Sequence, residues 1–385
     1  MEIKRLTAAN YDEWLELLNA VFTRHNNREM HFDQSLPKMC IRDDEHMGMH
    51  LGIWEDGGLR ALLGIYPIPA KIAGQDVLFS TVGNVATHWD YEGRGYMAAL
   101  MAAAMEELDR IGADASRLGG MRQRYERFGY EPCGSVYSFS LTAHNVQRGL
   151  PGFSSDLRFE RLTRDNLDGI RAANAFNETA AIHAVRSEAC DCRDVWNSMI
   201  AWENQPWLAL RPDGSIAGYL SASPDGSGIA EQGAVSDEVL LEMLAAWQGK
   251  VGTAVSFRLQ PWQAGAVQRF SKICQSGSIS APCHIFVRSW DKVTDALMKL
   301  KFSYAPMPEG ELVVEILGYG AIRLYVKHGE AGCERTNASA DVVLDHLAAA
   351  RYLYGPHAPW YAGDANALAA AWLPLPLSWN LQDRV

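Results

Sequence analysis

The stretch VATHWDYEGRGYMAALMAAAMEELDRIG, residues 85–112, is the most informative part of the sequence. An apolar run ends in the turn Gly93-Arg94-Gly95, and a segment rich in Ala, Met and Leu follows it. Glycines between a strand and a helix leave backbone N–H groups available to an anion. The pattern predicts a strand over residues 77–87, an anion site at the turn, and a helix over residues 96–111.

The segments on both sides of this stretch predict an α+β fold with mixed, mostly antiparallel sheets. Hairpin turns such as Asp56-Gly57-Gly58 join apolar runs before the glycine turn, which is typical of antiparallel strands. The predicted helices lie near residues 11–22 and 124–128, and the predicted strands cover residues 50–54, 59–67 and 131–141.

Two further segments follow the first. The composition changes to that of a linker at Gly149-Leu-Pro-Gly152, and Phe159-Glu-Arg-Leu-Thr then echoes Ile3-Lys-Arg-Leu-Thr. The second segment has no Gly-Arg-Gly turn, so we expect no cofactor cradle there. A third segment shows a helix, a hairpin around Gly318-Tyr-Gly320 and a helix over residues 340–353. We expect three domains, at residues 1–148, 149–287 and 288–385.

Composition excludes several classes of protein. The 385 residues are 48% hydrophobic and 21% charged, with a formal net charge of −11, which argues against nucleic-acid binding and suits a cationic substrate. We find no apolar signal region and no run of about 20 apolar residues, so we expect a cytoplasmic protein without a membrane span. The seven cysteines include one close pair, Cys190-Asp-Cys192, which is not a zinc spacing. We expect structural thiols and no metal.

Three ligands are compatible with the glycine turn. A dinucleotide fits Gly93-x-Gly95-x-x-Ala98, but residues 115–120 end in no acid that would bind a ribose. A tight turn without any ligand is the second possibility. The third is coenzyme A, whose pyrophosphate needs N–H donors at a helix N-terminus and whose pantetheine arm can pair along residues 82–87. The series of strand, glycine turn and helix favours coenzyme A.

Two motifs carry a resemblance to the GNAT N-acetyltransferase superfamily. The first is VATHWDYEGRGY, residues 85–96, and the second is RYERFGYEP, residues 124–132. The chain departs from the usual Q/R-x-x-G-x-G/A, because Glu92 stands where Arg or Gln is expected and Met97 where Gly or Ala is expected. The resemblance implies acetyl-CoA as co-substrate, bound by residues of the strand end and the turn: Val85, Ala86, Thr87, Gly93, Arg94, Gly95, Tyr96, Met97 and Ala98.

The layout of the whole chain resembles the enhanced intracellular survival protein subfamily of GNAT enzymes. This resemblance implies a catalytic GNAT domain, a degenerate GNAT domain and a sterol-carrier-like domain. It also implies a small amine as acceptor, aminoglycoside-like or polyamine-like, and a homo-oligomer, with a hexamer as the candidate state. Five aromatic residues of the third segment are expected at its contact surface: Trp290, Tyr319, Tyr352, Tyr354 and Trp360.

Acetyl transfer to an amine needs a proton donor for the departing sulfur and a base for the amine. The resemblance places the general acid at Tyr125, with Tyr130 as the rival. It implies that the C-terminal carboxylate of Val385 is the base; Asp383 and His88 are the alternatives. The loop over residues 23–47 is expected to wall the acceptor pocket, with Phe22 and Asp33 as substrate contacts.

Two other functions stay open at this point. One is a non-catalytic acyl-CoA or lipid-binding protein that uses the sterol-carrier-like domain. The other is a nicotinamide-dependent enzyme. Binding of acetyl-CoA without turnover of any amine would indicate the first, and binding of NADH would indicate the second.

Overall fold

The computed structural model describes residues 2–358 and 366–384, without the side chain of Cys190. In the first part of the chain the strands are β1 (Ile3–Arg5), β2 (His50–Glu55), β3 (Gly58–Ile72), β4 (Gln75–Thr87), β5 (Ala115–Leu118), β6 (Glu131–Cys133) and β7 (Val136–Leu141). The helices there are α1 (Tyr11–Asn26), α2 (Phe32–Ser35), α3 (Asp44–Met47), α4 (Tyr96–Arg110), α5 (Arg122–Tyr125) and α6 (Ala143–Gly149).

The middle strands are β8 (Arg158–Arg161), β9 (Ile182–Ala184), β10 (Gln205–Leu210), β11 (Ile216–Ala222), β12 (Ile229–Ala234), β13 (Val255–Leu259), β14 (Gly277–Ser280) and β15 (Cys283–Val287). The middle helices are α7 (Leu167–Glu178), α8 (Ala189–Met199), α9 (Asp237–Val251) and α10 (Ala264–Ile273). The last part contains α11 (Trp290–Tyr304), β16 (Gly310–Ile316), β17 (Gly320–Lys327), β18 (Glu330–Thr336), β19 (Val342–Leu344), α12 (His346–Tyr354) and α13 (Ala367–Trp372). Short 3-10 turns lie at Ala8–Asn10, Trp89–Tyr91, Glu126–Phe128 and Ala201–Glu203.

The first sheet has the strand order β1-β2-β3-β4-β5-β15-β6, and β9 pairs with β3. Its neighbours are antiparallel except for β4 and β5, which are parallel. Helix α4 buries Leu100, Ala104 and Leu108, each four residues from the next, in one hydrophobic core. Helix α1 buries Trp14 and Leu18 in a separate core with residues of β3. These cores fix the strand–turn–helix series at the middle of the sheet, and the α+β prediction is confirmed.

Two strands change places between the first sheet and a neighbouring one. Strand β15 lies between β5 and β6, and β7 lies between β13 and β14. The prediction of one strand over residues 131–141 is therefore wrong. Gly134 breaks it: this residue has a φ of +80°, and a Cβ there would lie 2.5 Å from the Leu377 carbonyl oxygen. The chain turns at this glycine and leaves the first sheet.

The middle unit, residues 158–280, repeats the opening pattern of a strand followed by a capped helix. Strand β8 precedes α7, and the Asn166 side chain accepts a hydrogen bond from the Gly169 amide at 2.9 Å. One sheet of this unit has the order β12-β11-β10-β8 and the other has the order β13-β7-β14. The two sheets meet at a parallel bridge between Gly228 and Ser256.

The last part of the chain forms the sheet β18-β17-β16-β19, against which α11 packs. The predicted helix over residues 340–353 is wrong in its first half, where the β-branched run of β19 pairs in parallel with β16. The expected aromatic contact surface is also wrong at Trp290, Tyr352 and Tyr354, which are buried inside the chain. Trp360 lies outside the described residues.

Two general features concern the described residues as a whole. Across residues 2–358 and 366–384 we find no helix whose length and apolar character would let it span a membrane. Six cysteines are free thiols, namely Cys40, Cys133, Cys192, Cys274, Cys283 and Cys333.

Candidate active site

An opening between β4 and β5 forms the first part of the site. The two strands pair in parallel where residues 79–81 face residues 115–117. Within the described residues this ladder ends at Thr81 and Arg117, whereas β4 continues to Thr87. Residues 82–87 therefore offer an edge to which an extended ligand that bears amide groups can add hydrogen bonds. The predicted binding residues Val85, Ala86 and Thr87 lie on this edge strand.

A β-bulge interrupts the opposite edge of β4 at the same height. Leu62 pairs with Ala86 but Gly64 pairs with Gly83, so β4 has an extra residue in this interval. Asn84 adopts a left-handed φ of +54°, which is uncommon for a residue with a side chain. A bulge takes backbone groups out of the ladder. The N–H groups here are the candidates for polarising a carbonyl in the opening.

A buried chain of hydrogen bonds holds this bulge. Asn84 Nδ2 donates to Tyr66 Oη at 2.8 Å, and Tyr66 Oη lies 2.8 Å from His50 Nε2. The His50 Nδ1–H donates to the Met47 carbonyl at 3.2 Å, so Nε2 accepts from the tyrosine. Burial lowers the pKa of His50 to about 4, which keeps the ring neutral in this role.

The glycine turn is open above its backbone. Gly93 and Gly95 have φ values of +76° and +83°, and a Cβ at either would meet nothing within 4 Å. Gly95 caps α4, whose first turn contains no acidic side chain, and the first intrahelical bond joins the Ala99 amide to the Gly95 carbonyl. The amides of Tyr96, Met97 and Ala98 precede that bond. Such a cradle fits a pyrophosphate.

Arg94 is turned toward β2. Its guanidinium bonds Glu55 with 3.1 Å between Nη1 and Oε1, and it lies 4.5 Å from the centre of the Tyr91 ring. Glu92 beside it is exposed. A phosphate at the turn would have to compete with Glu55 for Arg94, so the backbone amides are the donors that are available without rearrangement.

Tyr125 ends α5, close to the two glycines that follow β5. The side chain is 5% exposed, and a Cβ on Gly120 would lie 2.7 Å from the edge of its ring. Burial raises the pKa of Tyr125, although the charge and the hydrogen bond of Arg124 lower it in part. The phenol is therefore protonated at neutral pH, as a proton donor must be.

Tyr130, the rival tyrosine, has its hydroxyl engaged within the core. The side chain is fully buried, and its Oη lies 2.7 Å from Ser116 Oγ on β5. Burial raises the pKa of Tyr130 as well, partly offset by this hydrogen bond. The ring packs against Phe286. These contacts are those of a packing residue.

The residues expected around the acceptor differ in accessibility. Phe22 packs edge-on against Phe32, with 5.0 Å between the ring centres, whereas Asp33 is exposed on α2. His88 stacks on Trp89 at 4.0 Å, and its Nδ1 accepts a hydrogen bond from the Asp90 amide at 3.3 Å. His88 therefore caps a turn. Of Phe22 and Asp33, the two residues predicted to contact the substrate, Asp33 is the one whose side chain is exposed.

The C-terminal segment, residues 377–384, reaches the opening. Arg117 Nε donates to Thr81 Oγ1 at 2.9 Å, and Arg117 Nη2 donates to the Asp383 carbonyl at 3.2 Å. The Trp379 ring packs against Phe79, with 4.8 Å between the centres. The segment is thus tied to the last paired residues of β4 and β5. Val385, the predicted base, lies outside the described residues.

Sequence reasoning missed the charged residues that hold this segment. Arg117, Arg186 and Glu231 are all buried, yet each is an ordinary charge in its own stretch of sequence. Only their closeness in space and their shared burial mark them as a group, and neither is visible in a single sequence.

Comparisons with known proteins identify the first part of the chain. Residues 2–133, which contain the glycine turn and Tyr125, match the family model described as "Acetyltransferase (GNAT) domain". The chain carries a GNAT acetyltransferase domain. The resemblance predicted from residues 85–132 is confirmed, and the protein is an acyltransferase. GNAT acetyltransferases take the acyl group from acetyl-CoA or another acyl-CoA, and the open cradle on α4 fits that ligand.

Solved structures extend the likeness in fold over nearly the whole chain. A GCN5-related N-acetyltransferase from Anabaena variabilis has a TM-score of 0.68 at 17% identity and covers 98% of both chains. Eis1 from Mycobacterium abscessus has a TM-score of 0.65 at 16% identity, over 99% of this chain and 98% of Eis1. A probable N-acyltransferase from Enterococcus faecalis has a TM-score of 0.64 at 13% identity, over 91% and 88%. No curated protein matches the sequence.

Proposed function

We propose that this protein transfers the acetyl group of acetyl-CoA directly to an amine of a small cationic molecule, aminoglycoside-like or polyamine-like. The cradle at the start of α4 carries the proposal: Gly93 and Gly95 leave open space beside free amides, next to the unpaired edge at residues 82–87. Acetyl-CoA would supply an acetyl group already activated as a thioester. The acidic net charge of −11 supports a cationic acceptor.

The residues of the chain then have separate roles. The amides of residues 96–98 bind the pyrophosphate, and the backbone of residues 85–87 beside the bulge polarises the carbonyl. Tyr125 donates a proton from its Oη to the departing thiolate. Burial raises the pKa of this phenol, so the proton stays on Oη at neutral pH.

The α-carboxylate of Val385 is the proposed base that accepts the proton of the amine. Its support is the attachment of residues 377–384 to Arg117, which also bonds Thr81 beside the opening. Asp383 is a poor alternative: burial raises the pKa of its carboxyl, but the charges of Arg186 and Lys38 hold it below the ordinary value. His88 is a poor alternative because its Nδ1 caps a turn.

We propose domains at residues 1–148, 149–287 and 288–385, the last of them sterol-carrier-like, and a homo-oligomer in the cytoplasm, with a hexamer as the candidate state. Light scattering tests the assembly, since a particle of 42.6 kDa would be a monomer.

A thiol-release assay with acetyl-CoA tests the reaction against three acceptor classes: aminoglycosides, polyamines and peptide N-termini. We expect turnover with at least one of the first two. Binding of acetyl-CoA without any turnover would indicate a non-catalytic acyl-CoA-binding protein instead.

Two changes at the C-terminus test the base. Deletion of Val385 and addition of a short C-terminal tag both displace the α-carboxylate, so each should lower kcat strongly while acetyl-CoA binding is retained. Full turnover by the tagged protein would exclude the carboxylate as base.

A further inference from the structure

The middle unit contains a second parallel pair of strands joined by a helix. Strand β12 leads through α9 to β13, in the same order as β4, α4 and β5. The two strands meet at the bridge between Gly228 and Ser256 and part beyond it. The Gln232 side chain spans the gap and donates to the Arg258 carbonyl at 2.5 Å. The middle unit thus has an opening that corresponds to the one between β4 and β5.

The charges at this second opening do not suit a pyrophosphate. Ser236 caps α9, and its Oγ accepts a hydrogen bond from the Val239 amide at 3.3 Å. The first turn carries Asp237 and Glu238, whereas the first turn of α4 carries no acid. Carboxylates at a helix N-terminus oppose a further anion there. The opening must therefore serve something other than acyl-CoA.

The C-terminal segment of the same chain crosses this opening. Asn380 Nδ2 donates to Glu231 Oε2 on β12 at 2.6 Å, and the Ser378 hydroxyl donates to the Gln260 side chain just after β13. Residues 378–381 line a cavity of about 210 Å³ together with β12 and residues 258–263. The segment therefore contacts β12 and the residue that follows β13.

One buried guanidinium joins the segment to the unit. Arg186 is 2% exposed at its side chain; its Nε and Nη2 donate to the two carboxylate oxygens of Asp383, each at 3.0 Å. Its Nη1 donates to Glu231 Oε1 at 3.0 Å. Paired geometry of this kind is specific to arginine. Removing Arg186 would leave two buried carboxylates without their shared counter-ion.

Residue Gln382 completes the attachment. Its Nε2 donates to the Met199 carbonyl at 2.7 Å, and its backbone carbonyl accepts from Lys38 Nζ of the first domain at 2.7 Å.

We infer that the middle unit uses its parted strand pair as a binding site for the chain's own C-terminal segment, and that Arg186 is the positioning residue that fixes this segment beside the acetyl-transfer site. The catalytic part of this inference rests on the proposed function.

Hydrogen–deuterium exchange of the full-length protein, without acceptor, tests the attachment. Arg186→Met should speed exchange of the peptide over residues 377–384 by about 100-fold, because it leaves two buried carboxylates without their shared counter-ion. The control is Arg211→Met, which removes an arginine of the same unit whose ion-pair partners are Asp156 and Glu242, at 3.3 and 2.8 Å, rather than residues of the segment. We expect the control to leave exchange at residues 377–384 unchanged.

A second charge change sharpens the test. Arg186→Met/Asp383→Asn removes one charge of each sign, so exchange of the segment should be slower than in Arg186→Met. Unchanged exchange at residues 377–384 in a folded Arg186→Met protein would overturn the inference. If that variant does not fold, Asn380→Ala removes the bond to Glu231 with a smaller change, and unchanged exchange there would overturn the inference as well.

Kinetics separate the inference from the proposed function. Arg186→Met should lower kcat while the affinity for acetyl-CoA is kept, since the cradle lies in the first domain. Faster exchange of the segment with an unchanged kcat would support the attachment and contradict the C-terminal base.

Discussion

Single residues with unusual backbone angles shape the cradle. Gly95 combines a φ of +83° with open space where a side chain would stand, at the N-terminus of α4. A side chain at this position is strained, and it also occupies the volume that a phosphate would need. The effect of backbone strain can be separated from the effect of filling the phosphate volume by comparing Gly95 with a glycine at the other end of the helix.

We expect Gly95→Asp to abolish acetyl-CoA binding, because its carboxylate would lie among the amides that bind the pyrophosphate. Gly112→Asp is the matched control, since Gly112 has a φ of +68° and equally open surroundings after the end of α4. The measurement is the rise in melting temperature with acetyl-CoA, which reflects about 2.7 kcal/mol at 100 times Kd. An unchanged Kd for Gly95→Asp would remove the cradle from this position.

We expect Tyr125→Phe to lower kcat by about 10²–10⁴-fold, because it keeps the ring and deletes the proton donor. The affinity for acetyl-CoA should hold. Tyr130→Phe is the control: losing its hydrogen bond to Ser116 should cost about 1 kcal/mol of stability and leave kcat nearly unchanged. A large loss of kcat in Tyr130→Phe alone would show that the acid is the other tyrosine.

At the level of strands and helices, local patterns were predictable and distant pairings were not. The predicted helix over residues 96–111 is α4 to within one residue, because its apolar spacing and its glycine cap are both local. The break at Gly134 was not predictable, because the carbonyl that requires a glycine there belongs to Leu377. Likewise the glycine turn could be found in one stretch, whereas the partners of Arg186, namely Glu231 and Asp383, lie on two distant segments.

The bulge in β4 gives a prediction about an element. We expect Tyr66→Phe to lower the free energy of unfolding by about 1–3 kcal/mol, because it leaves buried groups of His50 and Asn84 without a partner. It should also lower kcat, because the bulge is no longer held. Tyr354→Phe is the control, since it deletes another buried hydroxyl, 2.6 Å from Thr294 Oγ1, that takes no part in the chain of hydrogen bonds from His50 to Asn84. Equal kcat values in the two variants would show that the bulge does not depend on this network.

The molecule as a whole should lose stability in mild acid because it buries neutral imidazoles. His346 stacks on Phe286, with 4.6 Å between the ring centres, and its Nε2 has no hydrogen-bond partner among the described residues. Burial lowers its pKa to about 4. The unfolded chain therefore binds a proton between about pH 6.5 and pH 4 that the folded chain does not bind, and stability falls as the pH falls through that range.

We expect His346→Phe to keep the stacked ring and to remove this proton site. The loss of unfolding free energy between pH 7 and pH 4.5 should then be smaller by about 2–3 kcal/mol than in the unchanged protein. Urea unfolding at the two pH values measures the difference. The fall in stability that comes from His50 should remain in the variant. An equal fall in unfolding free energy in His346→Phe and in the unchanged protein would contradict the prediction.

The exchanged strand β15 has a consequence for synthesis on the ribosome. Strands β5 and β6 are complete when the chain has reached Cys133, but the strand that fits between them begins at Cys283. At about 5–20 residues per second, the gap in the first sheet stays open for on the order of ten seconds. Open strand edges pair readily with other chains. A chain that stops before Cys283 keeps the gap permanently, and we expect it to aggregate under conditions in which the full-length chain remains in solution.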